Sequence, residues 1–104
     1  MADTYIKKDI VGGADSVAVI DIGSNSIRYA AGRNGKKLVI TTRLGSGLAQ
    51  TGRLDEERME KSISVISALA SNARHSGYIP FAYATSAVRD ASNKAEFVNR
   101  LKQK

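Results

Sequence analysis

The feature that most constrains this chain is the run Val17-Ala18-Val19-Ile20-Asp21-Ile22, closed by Gly23. A continuous apolar run stopped by an acid and a glycine suits a strand buried on both faces. Gly23-Ser24-Asn25-Ser26 then reads as a turn, and Ile27 to Ala31 as a short second strand. Asn34-Gly35 is a strong hairpin signal, because both central positions of a type I′ turn need positive φ. Lys37 to Thr42 follows as a third, β-branched strand. These three strands are expected to form an antiparallel meander, joined at the second link by a two-residue Asn34-Gly35 turn.

Downstream the periodicity changes. Gly45-Ser46-Gly47 and Gly52 mark a loop, and Asp55 is placed to cap a helix whose first turn carries Glu56 and Glu57. Met59, Ile63, Ile66, Leu69 and Ala73 recur at helical spacing and lie on one face. Gly77 is a natural residue just past a helix end, so the helix should finish near His75. Ile79 to Thr85 reads as a fourth strand with Pro80 at its start, where a missing N–H is tolerated. A connection through a helix is what a parallel crossover requires. Ser86 to Ser92 reads as a loop. Asn93, with Glu96 three residues on, has the spacing of a capping box opening a last helix, with Phe97, Val98 and Leu101 as its apolar face. The order β-β-β-α-β-α is α/β with a mixed sheet. Residues 1–15 lack periodicity and read as a flexible leader ahead of one domain over 16–104.

Composition narrows the chemistry. The 104 residues carry 16 Lys+Arg against 10 Asp+Glu, a net charge of +6, which favours anionic partners. There is no cysteine and one histidine, so disulfides, thiolate chemistry and an ordinary zinc site are excluded. No apolar run reaches the ~20 residues a membrane span needs, and the start lacks the pattern of a signal peptide. A cytoplasmic protein with no membrane partner is expected. Six aromatics, spread along the chain, are few for a base-stacking surface, so nucleic acid is not the expected partner. His75 reads as a surface residue near a helix C-terminus. Lys36-Lys37 and the tail residues Arg100, Lys102 and Lys104 read as solvated faces.

Two clusters carry candidate chemistry. In Asp21-Ile22-Gly23-Ser24-Asn25-Ser26-Ile27-Arg28, an acid ends a strand before a tight turn of small polar residues. Backbone N–H groups in such a turn can form an anion-binding concavity. Asp21 stands where it could hold Mg²⁺ through water. The alternative is a hairpin with an acidic strand end. In Ala84-Thr85-Ser86-Ala87-Val88-Arg89-Asp90-Ala91, hydroxyls and an arginine follow a strand, where α/β sheets commonly carry their sites. Arg89 offers a planar fork suited to phosphate oxygens, or a salt bridge to Asp90.

Taken in order with Arg43-Leu44-Gly45-Ser46-Gly47-Leu48 and Gly52-Arg53-Leu54, followed by Asn93 and Phe97, the two clusters make a more specific pattern. The chain closely resembles the N-terminal part of the exopolyphosphatase and guanosine pentaphosphate phosphohydrolase family, over about residues 16–103. The resemblance implies a ribonuclease-H-like half domain of the actin-like ATPase superfamily. It implies Mg²⁺-dependent hydrolysis of terminal phosphoanhydride bonds in polyphosphate or guanosine pentaphosphate. By the same resemblance Gly23, Ser24, Asn25 and Ser26 form the first phosphate loop, and Asp21 is a metal or water ligand. Thr85, Ser86 and Arg89 face the phosphate chain, and Arg28 contacts substrate or points away; Arg43 is a further candidate.

In that family a last strand, a glutamate-rich segment supplying the catalytic base, and a second half all follow the region this sequence matches. The expectation is therefore an N-terminal fragment that carries part of the substrate site, holds no catalytic residue of its own and is inactive alone. The alternative is a non-catalytic module that senses phosphate or guanosine tetra- and pentaphosphate, or binds a partner. An incomplete sheet edge would also favour self-association.

Overall fold

The computed structural model describes residues 16–33 and 35–103. The leader read over 1–15, and Asn34, lie outside them. Four strands form one mixed sheet: β1 (Val17–Ile22), β2 (Ser26–Ala31), β3 (Lys37–Thr41) and β4 (Ile79–Ala84). Their order across the sheet is β3-β2-β1-β4. The first three pair antiparallel, and β4 runs parallel to β1 in the register Val17↔Ile79 to Ile22↔Ala84. The meander and the parallel crossover are as the sequence leads one to expect. The second link differs. The Ala31 N–H meets the Lys36 carbonyl at 3.0 Å, so the connection spans residues 32–35 and is longer than a two-residue turn.

The helices are α1 (Leu48–Thr51), α2 (Glu56–His75), α3 (Ser86–Arg89) and α4 (Lys94–Lys102). Helix α2 starts where Asp55 accepts from the Arg58 N–H at 3.0 Å, with two acids in its first turn and Arg74 and His75 in its last. It ends ahead of Gly77, as expected. Met59, Ile63, Ile66, Leu69 and Ala73 are all buried and pack on the sheet face made by Ala18, Ile20, Ile22, Ile27, Tyr29 and Ala31. Burying side chains of this size contributes ~1.5–3 kcal/mol each, which makes this layer the main source of stability. Burial, and then the neighbouring Tyr78, hold the Tyr29 phenol above its ordinary range.

The other sheet face is open among the described residues. Val19 and Asp21 are half-buried, and Val39 and Ile79 are 64% and 51% exposed. The expectation that the first strand is buried on both faces holds at Val17, 2% exposed, and only in part at Val19 and Asp21 on the same side. Alternation sends Ala18, Ile20 and Ile22 into the core and Val19 and Asp21 to the open side.

Two further readings are corrected. Asn93 occupies the N-cap position of α4 but makes no side-chain cap hydrogen bond. Its amide is buried instead against Leu54, accepting from the Leu54 N–H at 2.8 Å and donating to the Leu54 carbonyl at 3.1 Å. A buried backbone pair left over in the loop before α2 outcompetes the cap, because unsatisfied buried groups are costly. Arg100 is not a solvated tail residue. It pairs with Glu56 at 2.5 Å, Glu60 at 2.6 Å and Glu96, tying α4 to α2. Phe97 completes that junction and is 1% exposed.

Candidate functional site

The carboxyl ends of β1 and β4 lie side by side, since the Thr85 N–H donates to the Ile22 carbonyl at 3.1 Å. Residues 23–26 leave β1 and residues 85–89 leave β4 at that same end. Open α/β sheets bind ligands at this end of their strands.

The 23–26 turn is held from both sides. Within it, the Gly23 N–H donates to the Ser26 carbonyl at 3.0 Å. A Cβ on Gly23 would stand 2.9 Å from that same oxygen. From outside, the carbonyl of Asn25 accepts from the N–H groups of Thr42 and Arg43 at 3.1 and 2.9 Å. The Ser24 carbonyl accepts from the Gly45 N–H at 2.7 Å. Gly45 approaches so closely that an added Cβ would lie 2.5 Å from the Ser24 Cβ. Residues 42–45 are thus a brace for the turn. The side chains of Ser24 and Asn25 remain exposed, and Ser26 is half-buried with its hydroxyl 3.4 Å from that of Thr41. The carbonyls of Ser24 and Asn25 are thus taken up by the brace, while their side chains stay exposed.

Asp21 is half-buried on the open sheet face, directly across from Arg28 in the β1–β2 register and beside Tyr83 in the β1–β4 register. Its Oδ1 is buried and has no hydrogen-bond partner. That orphaned carboxylate oxygen fits a hydrated cation. Among the described residues no three acidic or imidazole side chains cluster, so a cation beside Asp21 would draw its remaining ligands from water and a bound anion. Mg²⁺ is commonly held by one or two carboxylates together with substrate phosphates and water.

Arg28 is exposed on the same face as Asp21, off the turn itself. Thr85 is half-buried at the strand end, and its carbonyl accepts from the Arg89 N–H at 3.0 Å. Ser86 opens the short helix that Arg89 closes, and Arg89 is exposed. Arg89 borders a hollow of about 190 Å³ that also touches Tyr83 and Ala84. Asp21, Arg28 and Tyr83 border a second hollow of about 310 Å³. The two hollows share only Tyr83 and lie on opposite faces of the sheet, the Asp21 hollow on the open face and the Arg89 hollow on the helix face. Arg43 is separated from both. Its side chain is exposed beside Glu57, Arg58 and Lys61, and its backbone holds a left-handed φ of 53° while its N–H braces Asn25.

The brace is the part of the site that the motifs alone do not single out. Arg43-Leu44-Gly45 stands in the sequence pattern, but nothing there marks its backbone as what holds the turn.

The sequence profile of the Ppx/GppA phosphatase family matches residues 36–104, about two thirds of the chain. The chain belongs to the Ppx/GppA phosphatase family. A solved Ppx/GppA family member from Aquifex aeolicus is 38% identical over 85% of this chain, with a TM-score of 0.71. An exopolyphosphatase-like protein is 29% identical over 84% of the chain, with a TM-score of 0.75. An exopolyphosphatase from Cytophaga hutchinsonii is 25% identical over 84%, with a TM-score of 0.73. The match covers 31%, 29% and 30% of those structures respectively, so the chain spans about three tenths of their length. No curated protein sequence matches the chain. The α/β mixed sheet is therefore the sheet of a Ppx/GppA domain, of the actin-like ATPase class. No helix among the described residues is long and apolar enough to cross a membrane.

Proposed function

We propose that this chain supplies the first phosphate-binding wall of a Ppx/GppA site that hydrolyses terminal phosphoanhydride bonds of polyphosphate or guanosine pentaphosphate. The observation that carries this reading is the braced 23–26 turn beside the 85–89 segment, at the carboxyl ends of two parallel strands. The turn binds phosphate oxygens through Gly23, Ser24, Asn25 and Ser26. Arg89, with Thr85 and Ser86 beside it, neutralises charge on the phosphate chain, and Arg28 serves the same end from the open sheet face. Bound Mg²⁺, held through Asp21, would add charge neutralisation at the phosphoryl oxygens. Phosphoryl transfer depends on positioning and electrostatic stabilisation, and these residues provide positioning. None of them is a general base aimed at a water, so the isolated chain binds phosphate without turning it over.

The test is Mg²⁺-dependent phosphate release from polyphosphate and guanosine pentaphosphate by the purified chain, paired with calorimetric titration of tripolyphosphate. The expected result is no release, and binding that weakens about tenfold in Arg89→Ala, the size of one charge-assisted contact. Release that disappears in Arg89→Ala would overturn the division of labour proposed here. Binding that ignores Arg89→Ala and falls steeply with salt would point to nonspecific polyanion attraction.

A further inference from the structure

We infer that Asn93 is a positioning residue of the phosphate site: by gripping the backbone of Leu54 it fixes where Arg89 stands. The inference rests on the phosphate-binding role proposed above for Arg89. Helix α3, which Arg89 closes, has four residues. Helices shorter than ~12 residues are marginal on their own in water, so the placement of α3 depends on what holds the chain on either side of it. On the β4 side, the Thr85 N–H donates to the Ile22 carbonyl at 3.1 Å. On the far side two adjacent residues are held. The Ser92 N–H donates to the Gly52 carbonyl at 2.8 Å. The Asn93 amide accepts from the Leu54 N–H at 2.8 Å and donates to the Leu54 carbonyl at 3.1 Å.

Between these two grips the corner is compact. The Arg89 N–H donates to the Thr85 carbonyl at 3.0 Å, and the N–H groups of Ala91 and Lys94 donate to the carbonyls of Val88 and Ala91, both at 3.2 Å. Val88 and Ala91 are buried, while Arg89 and Asp90 are exposed. The Arg89 backbone therefore follows residues 92 and 93, and its guanidinium has no buried packing of its own to hold it in place.

What Asn93 grips is itself fixed. Leu54 is buried, and the next residue, Asp55, caps α2 by accepting from the Arg58 N–H. The Arg89 corner is thus pinned to the start of the longest helix. An amide presents an acceptor and a donor side by side, which matches the N–H and carbonyl of one residue. A serine at this position would cap α4 well but has one hydroxyl where the Leu54 pair takes two polar atoms. Residues 52–54 also belong to the connection between β3 and α2 whose other end, 42–45, braces the 23–26 turn. Both phosphate-binding segments are therefore held by one stretch of chain, and Asn93 is the side chain that joins the Arg89 segment to it.

The experiment is a double-mutant cycle on the 104-residue chain, with tripolyphosphate affinity titrated by calorimetry well below the Tm of each variant. Asn93→Ala should weaken binding at least about threefold in the wild-type background and change it less than about twofold in the Arg89→Ala background. A role in stability alone would lower Tm and leave affinity where it was. Asn93→Ser enters the same cycle and serves alone where Asn93→Ala does not fold. It should regain part of the lost stability through the α4 cap while its affinity stays low. Unchanged affinity in the folded Asn93 variants overturns the inference, and so do losses that add to that of Arg89→Ala; either result leaves the role of Arg89 standing. Wild-type affinity in Arg89→Ala is the separate outcome that overturns the phosphate reading of Arg89, and this inference with it.

Discussion

The contact between Gly45 and Ser24 makes the role of the brace measurable. In Gly45→Ala the new Cβ would lie 2.5 Å from the Ser24 Cβ, where ordinary contact begins at 3.4 Å. The two segments must separate by the difference, about 0.9 Å. The Gly45 N–H to Ser24 carbonyl bond is 2.7 Å. Opened by the same amount it reaches about 3.6 Å, beyond hydrogen-bond range. Overpacking costs ~1–3 kcal/mol and the lost bond ~1 kcal/mol. For a domain of this size that lowers Tm by on the order of 10 °C or more. Gly47→Ala is the matched control. Gly47 has φ 82° with nothing within 4 Å of an added Cβ, so its cost, ~1–2 kcal/mol, comes from the left-handed backbone alone. Both variants should melt earlier by scanning calorimetry. Tripolyphosphate affinity, titrated well below either Tm, should fall in Gly45→Ala and hold in Gly47→Ala. Equal affinities in the two variants would refute the argument that residues 42–45 set the geometry of the 23–26 turn.

Two further perturbations probe the scaffold. Asn93→Ala leaves the N–H and carbonyl of Leu54, a residue 3% exposed, without their partners; a loss of ~2–4 kcal/mol is expected, read as a lower urea midpoint with an unchanged slope. Arg100→Ala should destabilise the α2–α4 junction near neutral pH and progressively less in acid. The hydrogen bond from Arg100 holds the Glu56 carboxyl below the usual glutamate range. A depressed carboxylate contributes stability above its unfolded pKa and loses it as pH falls through its folded pKa. The difference in Tm between wild type and Arg100→Ala should therefore shrink below the ordinary glutamate range, and a pH-independent difference would sink the assignment.

Much of the fold is legible in the sequence because it is written in local periods. Helix α2 is announced by its Asp55 cap, its apolar stripe and Gly77, and β1 to β3 by short apolar stretches between turn residues. What is not legible is what each element meets. The run Val17–Ile22 reads the same whether one or both faces are covered, because a continuous apolar run records side-chain type and not neighbours. Helices α1 and α3 have four residues each, too few to show a helical period. Asn93 and Glu96 spell a capping box, yet the amide of Asn93 serves Leu54, 39 residues earlier. Arg100 looks like a solvated tail residue until the fold brings Glu56, Glu60 and Glu96 around it.

The site divides along the same line. Side-chain chemistry is visible in the sequence: Asp21, the small residues of the turn and Arg89 stand in motifs. Backbone chemistry is not, because an N–H carries no residue signature. The Asn25 carbonyl is served by Thr42 and Arg43, and Arg43 matters there through its N–H and its left-handed φ of 53°. The guanidinium that drew notice to Arg43 points into a different hollow. A substitution at 43 therefore perturbs the turn through conformation, whatever happens to the charge. Asp21 is the complementary case. Its side chain is placed by strand alternation opposite Arg28, yet Oδ1 has no hydrogen-bond partner. A buried oxygen without a partner costs ~1–3 kcal/mol. Under the proposed function, this is the oxygen that would face a hydrated cation beside the braced turn.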